Sequence, residues 1–330
     1  MRDVVCIVLI FLNPLGGPPL GGPHAIFFRR RKVMVLVFAI AALADCSTNA
    51  VSPPDHPPSQ DSPLVGRIFD TRGNTPISRE ELLRRASASP LVILGEVHDN
   101  GEHHRLQAEV LEALLRAGRT PALAMEQFDH ANQTALDAAR GERDPERLAD
   151  AGRFDRKGWG WALYKPLVEL AAANGLPLLA ANLSREAARA VIKSGRPAPN
   201  LAPALPDVQL ALEADIVRGH CGVRPAAALL AGMVEAQRAR DAQMAEVLVR
   251  AGPGGAVLVA GTGHARRDRG APAYLPPPLQ EQLLSIAFVE VDPGQTRAQM
   301  DYRDLYDFVW FTPRAAREDP CKSFRLPKAS

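Results

Sequence analysis

From about residue 64 onward the chain alternates short apolar runs with longer stretches in which apolar residues recur every three or four positions. The runs are Leu91–Leu94, Ala122–Met125, Pro177–Ala181, Ala256–Ala260, Ile286–Val291 and Phe308–Phe311. Each is too short for a helix. All but Ile286–Val291, which contains Glu290, are continuously apolar, as strands covered on both faces should be. Strands alternating with helices predict an α/β fold, a mostly parallel sheet flanked by helices. Gly66–Asp70 and Thr75–Ile77 suit a small hairpin turning at Gly73-Asn74. Ser78-Arg79-Glu80-Glu81 has capping-box spacing and opens a helix to about Ala88. His104–Ala117 carries Leu106, Val110, Leu111, Leu114 and Leu115 at helical spacing, and Gly118 stops it. Trp161–Asn174 and Ser184–Lys193 follow the same pattern. Asp207 to Arg250, broken at Gly219–Pro225, reads as an all-helical insertion before the strand at Ala256.

The pattern changes upstream. Arg29-Arg30-Arg31-Lys32 precedes the apolar run Val33–Ala44 and then Asp45-Cys46, the layout of a secretory signal. The apolar run is short for a permanent membrane helix, although paired with Val4–Leu12 it could form a membrane hairpin. Met1–Phe28 is long for the basic segment of a signal, which points to a start site further along. Two exits are open. Leu43-Ala44-Asp45-Cys46 is similar to a bacterial lipobox that would put a lipid on Cys46, with Asp45 where a small residue is usual. Ala42-Leu43-Ala44 fits soluble export. The lipoprotein reading is preferred, giving a signal at 1–45, a Pro/Ser/Asp-rich tether at 46–63 and one α/β domain at 64–330, with its insertion at about 207–250. It places the protein on the periplasmic side of a bacterial envelope, held to the outer membrane through its lipid.

Charge adds little to this picture. The formal net charge is +2, but residues 1–45 hold five bases and two acids, so the remainder stands at −1. A nucleic-acid binder usually shows a basic surplus in its folded part, and none is visible. Cys6 lies in the leader and Cys46 at its exit, leaving Cys221 and Cys321 in a compartment that permits oxidation. They either form a disulfide tying the C-terminal tail to the helical region or remain two separate buried thiols.

Candidate chemistry gathers where ligands bind in parallel sheets, beyond the carboxyl ends of strands. Leu91–Leu94 runs into Gly95-Glu96-Val97-His98-Asp99-Asn100, with His103 and His104 following. Ala122–Met125 ends in Glu126-Gln127, Pro177–Ala181 in Asn182, and Ala256–Ala260 in Gly261-Thr262-Gly263-His264. Glu96, His98, Glu126 and His264 can all coordinate one divalent metal ion or shuttle protons, the set a metal-dependent hydrolase would use. Two Gly-x-x-His turns on two strand ends are hard to place as turn residues alone. One of His103 and His104 should point at the crevice and the other at solvent. Arg238 can pair with Glu235 or Asp241 along a helix, Arg240 with neither, and both read as a solvated face.

Taken together, these motifs resemble the ChaN family of haem-binding, iron-regulated lipoproteins, within a superfamily of Tiki- and TraB-like proteins. The likeness rests on Gly95–Asn100 with His104 and Gln107, Met125-Glu126-Gln127-Phe128, Trp161-x-x-Tyr164, Leu176-Pro177 and Ala181-Asn182. His220-Cys221-Gly222, Ala236-Gln237-Arg238-x-Arg240-Asp241 with Met244-Ala245, and Gly261–His264 with Gly270-x-Pro272 complete it, over most of residues 66–312. The resemblance implies a haem-binding protein of iron uptake, in which a homodimer encloses two stacked haems. A tyrosine of one subunit would ligate each iron, and a histidine and a lysine of the other would hold the propionates. Of four tyrosines, Tyr164 in the matching stretch is the expected iron ligand, with Lys165 beside it. His98, His104 and His264 are expected at the propionates or at a metal. Tyr164 could instead be a helix-face aromatic of the core. Phe308 stands where the family usually carries another aromatic before Val-Trp, so a ligand carried there would be missing.

Overall fold

The computed structural model describes residues 61–199, 201–298 and 302–322. The leader, Cys46 and the tether up to residue 60 lie outside the described residues. Eight strands form one sheet: β1 (Ile68–Asp70), β2 (Thr75–Ile77), β3 (Leu91–Glu96), β4 (Ala122–Asp129), β5 (Leu178–Asn182), β6 (Ala256–Gly261), β7 (Leu283–Val291) and β8 (Phe308–Pro313). Their order is β2-β1-β8-β7-β3-β6-β4-β5. From β8 to β5 all neighbours are parallel, and the antiparallel hairpin β1–β2 closes the β8 edge. This is the mostly parallel α/β sheet expected from the apolar runs.

The side-chain period of two divides each central strand between two cores. Val92 and Leu94 join one, while Leu91 and Ile93 join the other. The first core takes helices α1 (Arg79–Ala88), α2 (Gly101–Arg116) and α6 (Trp161–Asn174), through Leu82, Leu106, Leu111, Leu167 and Val168. Short helices α3 (Gln133–Ala138), α4 (Pro145–Ala151) and α5 (Arg156–Trp159) fill the link from β4 to α6, where no periodic stretch is long enough to signal them. On the opposite face α7 (Arg185–Ser194), α8 (Pro206–Gly219) and α9 (Ala227–Val249) lead from β5 back to β6, and a short α10 (Pro277–Glu281) precedes β7. Two helices thus occupy the expected insertion, but α9 is no appendage: Met244, Ala245 and Leu248 enter the second core. Cys221, in the turn between α8 and α9, is bonded to Cys321, their Cα atoms 5.4 Å apart.

Candidate functional site

β3 and β6 lie side by side, with Glu96 in register with Gly261, so both Gly-x-x-His turns leave the sheet together. Their leading glycines are demanded by close approach. A Cβ on Gly95 would lie 2.8 Å from that of Ala265, in the turn after β6. A Cβ on Gly261 would stand 3.0 Å from Nε2 of His98. Thr262 N–H donates to the Glu96 carbonyl at 2.9 Å and stitches the turns together. Asn100 caps α2, accepting from the N–H groups of Glu102 (3.0 Å) and His103 (3.4 Å). Its amide also donates to Glu290 and to the Pro313 carbonyl, fixing the loop to β7 and β8.

Glu96 is the centre of the inner half. Its Oε1 accepts from the Tyr164 hydroxyl at 2.5 Å and the Gln127 amide at 3.3 Å, and meets Nδ1 of His98 at 2.8 Å. Its Oε2 accepts from Gln107 at 2.6 Å and lies 3.3 Å from Nδ1 of His104. Burial pushes this carboxyl up, but the imidazoles of His104 and His98 with the Tyr164 phenol outweigh it and hold it at about 2. Nε2 of His104 donates to the His98 carbonyl at 3.0 Å.

Glu126 is the centre of the outer half. A register shift in the β4–β5 pairing between Met125 and Asp129 surrounds it, an irregularity of the kind that re-aims side chains near sites. Its Oε2 accepts from Gly261 N–H at 2.8 Å and stands 3.9 Å from Nε2 of His98; its Oε1 is 3.5 Å from Nε2 of His264. Asp241 of α9 holds Nδ1 of His264 at 2.7 Å. Burial opposes protonation of His264, yet Glu126 and Asp241 raise it to about 10. Burial raises Asp241 to about 6 against the pull of that imidazole, so the two are an ion pair at neutral pH. An alternating chain of carboxylates and imidazoles therefore runs Asp241–His264–Glu126–His98–Glu96, closed at its inner end by Tyr164.

The structure brings Glu96, His98, Glu126 and His264 together as expected from the strand ends, and corrects several roles. Tyr164 is fully buried with its hydroxyl on Glu96, and burial and that carboxylate raise its pKa far above the usual phenol value. Its oxygen is engaged by Glu96, a bond that an iron-ligand role would have to break. Lys165 points away to Glu146 (3.3 Å) and Glu169 (3.8 Å). His104 is engaged inside the cluster by the His98 carbonyl and Glu96. His103 is not solvated either. It is buried against Phe288, accepts from Val97 N–H at 2.9 Å and bonds Thr312, and burial lowers it to about 3. Glu96 is too fully engaged to ligate a metal. Among the described residues no three His, Cys, Asp or Glu side chains form a group able to hold one.

Arg238 and Arg240 are buried rather than solvated. Arg238 pairs with Glu235 at 2.7 Å, the spacing anticipated, and also donates to the Ala202 carbonyl. Asp241 and Gln237, whose amide lies 3.3 Å from the His264 ring, join the site from α9, where the sequence shows them only as members of a helix motif. Their only signal was polarity on a helix whose apolar positions lack a single stripe. Trp159, at the end of α5, sets its ring edge-on to His98 at 5.0 Å.

Fold and site together define an α/β protein whose paired Gly-x-x-His turns meet at the carboxyl edge of a parallel sheet. The family model described as haem-binding uptake, Tiki superfamily, ChaN matches residues 82–275, and the chain belongs to this family. Among solved structures it is similar to ChaN of Campylobacter jejuni, described with cofacial haem binding. That match is 24% identical, covers 74% of this chain and 95% of that one, and has a TM-score of 0.61. Fainter likenesses are to a mutant of the erythromycin esterase EreC in its open conformation and to the type III effector HopBA1. The first is 12% identical over 77% of this chain and 99% of that one, TM-score 0.46. The second is 17% identical over 71% and 92%, TM-score 0.43. No curated protein matches the chain. No helix among the described residues is long and apolar enough to cross a membrane.

Proposed function

We propose that this protein binds haem at the carboxyl edge of its sheet and works in haem or iron uptake on the periplasmic side of a bacterial envelope. The family match across residues 82–275 carries the reading. The leader and Cys46 motif support export and a lipid anchor to the outer membrane. On the structure's side, Arg240 is a buried guanidinium with a partnerless Nε, which fits a propionate, and Tyr274 is half-buried beside Arg238 and Asp241. With Tyr164 committed to Glu96, Tyr274 takes its place as iron ligand; burial and then Asp241 raise its phenol to about 12, so the proton leaves as ferric iron binds, giving the hard anionic donor that ferric haem suits. Assembly as a homodimer around stacked haems belongs to the same proposal. Leu205, Leu210 and Leu229, exposed on α8, its N-cap and the start of α9, offer apolar surface for a second copy. Titration of the protein with haemin should give a saturable Soret change. Tyr274→Phe should shift that band and Tyr164→Phe should leave it in place. A flat titration of the wild type overturns the reading.

One observation favours a second reading. Nε2 atoms of His98 and His264 both face Glu126, each imidazole backed by a carboxylate, an arrangement suited to proton transfer at a bound ester or amide. No three such side chains among the described residues stand close enough to hold a metal as they are placed, so a divalent ion would have to draw Glu126, His98 and His264 together before it could activate a water. Stoichiometric metal with peptidase activity lost in His264→Ala favours this hydrolase; metal-free, inactive protein that binds haemin rejects it.

A further inference from the structure

We infer that Arg240 is the anchor for a carboxylate group of the bound ligand. Residues 234–241 of α9 are buried without interruption. Four of the five polar side chains in this stretch have partners: Glu235 and Arg238 pair with each other, and Gln237 and Asp241 both engage His264. Arg240 is the exception. It is 7% exposed, makes no hydrogen bond or ion pair among the described residues, and its buried Nε has no partner. Carboxylates do lie near it, namely Glu126, Asp241 and Asp129, but each is committed elsewhere. Glu126 serves Gly261 and the two histidines, Asp241 serves His264, and Asp129 accepts from the backbone of Arg185.

An unsatisfied buried guanidinium is costly, and an apolar side chain of similar length would fill the same space at lower cost. A planar fork of five donors, whose buried Nε has no partner and whose other nitrogens make no bond among the described residues, suits a ligand that brings the complement. Its geometry matches the two oxygens of a carboxylate. A single negative charge also suits the surroundings better than a phosphate dianion, since three carboxylates already stand near. Further orphan polar atoms occur on the elements that meet here. Gln243, three positions on along the same helix face, has a partnerless amide nitrogen, and Asn182, at the end of β5, a partnerless amide oxygen. β5 packs against α9. None of these groups is needed to explain the fold.

Taken with the haem reading, on which this part rests, the carboxylate is a propionate; otherwise it belongs to a free carboxylic acid. The full chain and its Arg240→Met and Arg240→Lys variants should be titrated with haemin and with the dimethyl ester of iron protoporphyrin. Arg240→Met should weaken haemin about 10- to 100-fold, the size of a lost charge-assisted contact, and leave the ester unchanged. Arg240→Lys should recover part of the loss. Without ligand, Arg240→Met should melt at or above the wild type, because an unpaired buried charge has gone. Equal haemin affinity in all three proteins overturns the inference while leaving the haem reading intact, as does an equal loss for haemin and ester. If the wild type binds no haemin, the haem reading fails on its own. Succinate at fixed ionic strength then decides: raising the melting temperature of the wild type but not of Arg240→Met sustains a free-carboxylate anchor, and an equal response in both overturns it.

Discussion

Five groups share the two oxygens of Glu96: Tyr164, His98 and Gln127 on Oε1, Gln107 and His104 on Oε2. A carboxylate so fully served in a buried place is held by its neighbours rather than poised to react. Tyr164 supplies a short bond to a charged acceptor, so Tyr164→Phe should destabilise the protein by about 1.5–3 kcal/mol, measured as a drop in the urea midpoint at constant slope. An unchanged midpoint would mean that the phenol contributes nothing to Glu96. The Trp-x-x-Tyr stretch marked this residue as special, but a sequence does not show which way a hydroxyl points on the first turn of a helix. Glu96, His98, Glu126 and His264 were legible because strand ends have a known direction relative to the sheet. Asp241 and Gln237 were not, since they reach the site from α9, a helix whose rotation against the sheet no strand direction fixes.

At the scale of elements, α9 explains both what was readable and what was not. A helix packed on one side shows an apolar stripe, as α2 does through Leu106, Val110, Leu111 and Leu114. α9 is covered by α7, α8, β4 and β5, so its buried set includes Glu235, Arg238, Arg240 and Asp241 and shows no stripe. Charged positions on such a helix look solvated when read by composition alone. The tight crossing with α7 depends on Gly232, where an added Cβ would meet the Ile192 carbonyl oxygen at 2.2 Å. That contact is with backbone and has no side chain to swing aside. Gly232→Ala should therefore cost about 1–3 kcal/mol despite alanine's better helix propensity. Thermal unfolding reads this directly, and a stabilised Gly232→Ala would show that α7 can move off. Strand cores were recovered from apolar runs alone. Helices α4 and α5 are held by the caps Asp144 and Asp155 rather than by periodicity, and α3 has six residues and no side-chain cap, so none shows an apolar repeat.

For the whole molecule, the alternating chain of carboxylates and imidazoles makes stability depend on pH from both sides. Glu96 is lowered from 4.5 to about 2, so its contribution is complete above about pH 4.5 and disappears as the pH falls through 2. His264 is raised from 6.5 to about 10; its contribution is complete below pH 6.5 and is lost as the pH climbs through 10. Asp241, raised from 3.8 to about 6, works the other way and costs stability as it ionises across that interval. Urea midpoints should therefore be highest near pH 4.5, above the titration of Glu96 and before most of the cost of ionising Asp241, with one limb falling toward pH 2 and another toward pH 10. The limbs belong to different residues, which makes them separable. Glu96→Gln should shrink the acid limb, which Glu126 shares, and leave the alkaline one, whereas His264→Gln should shrink the alkaline limb, which His98 shares, and remove the benefit of keeping Asp241 charged. If His264→Gln retains the wild-type fall between pH 7 and 10, the ion pair to Asp241 is not what links α9 to the sheet edge. In that case Asp241 would ionise in His264→Gln with no cation beside it but Arg240, and the buried guanidinium would have a partner after all.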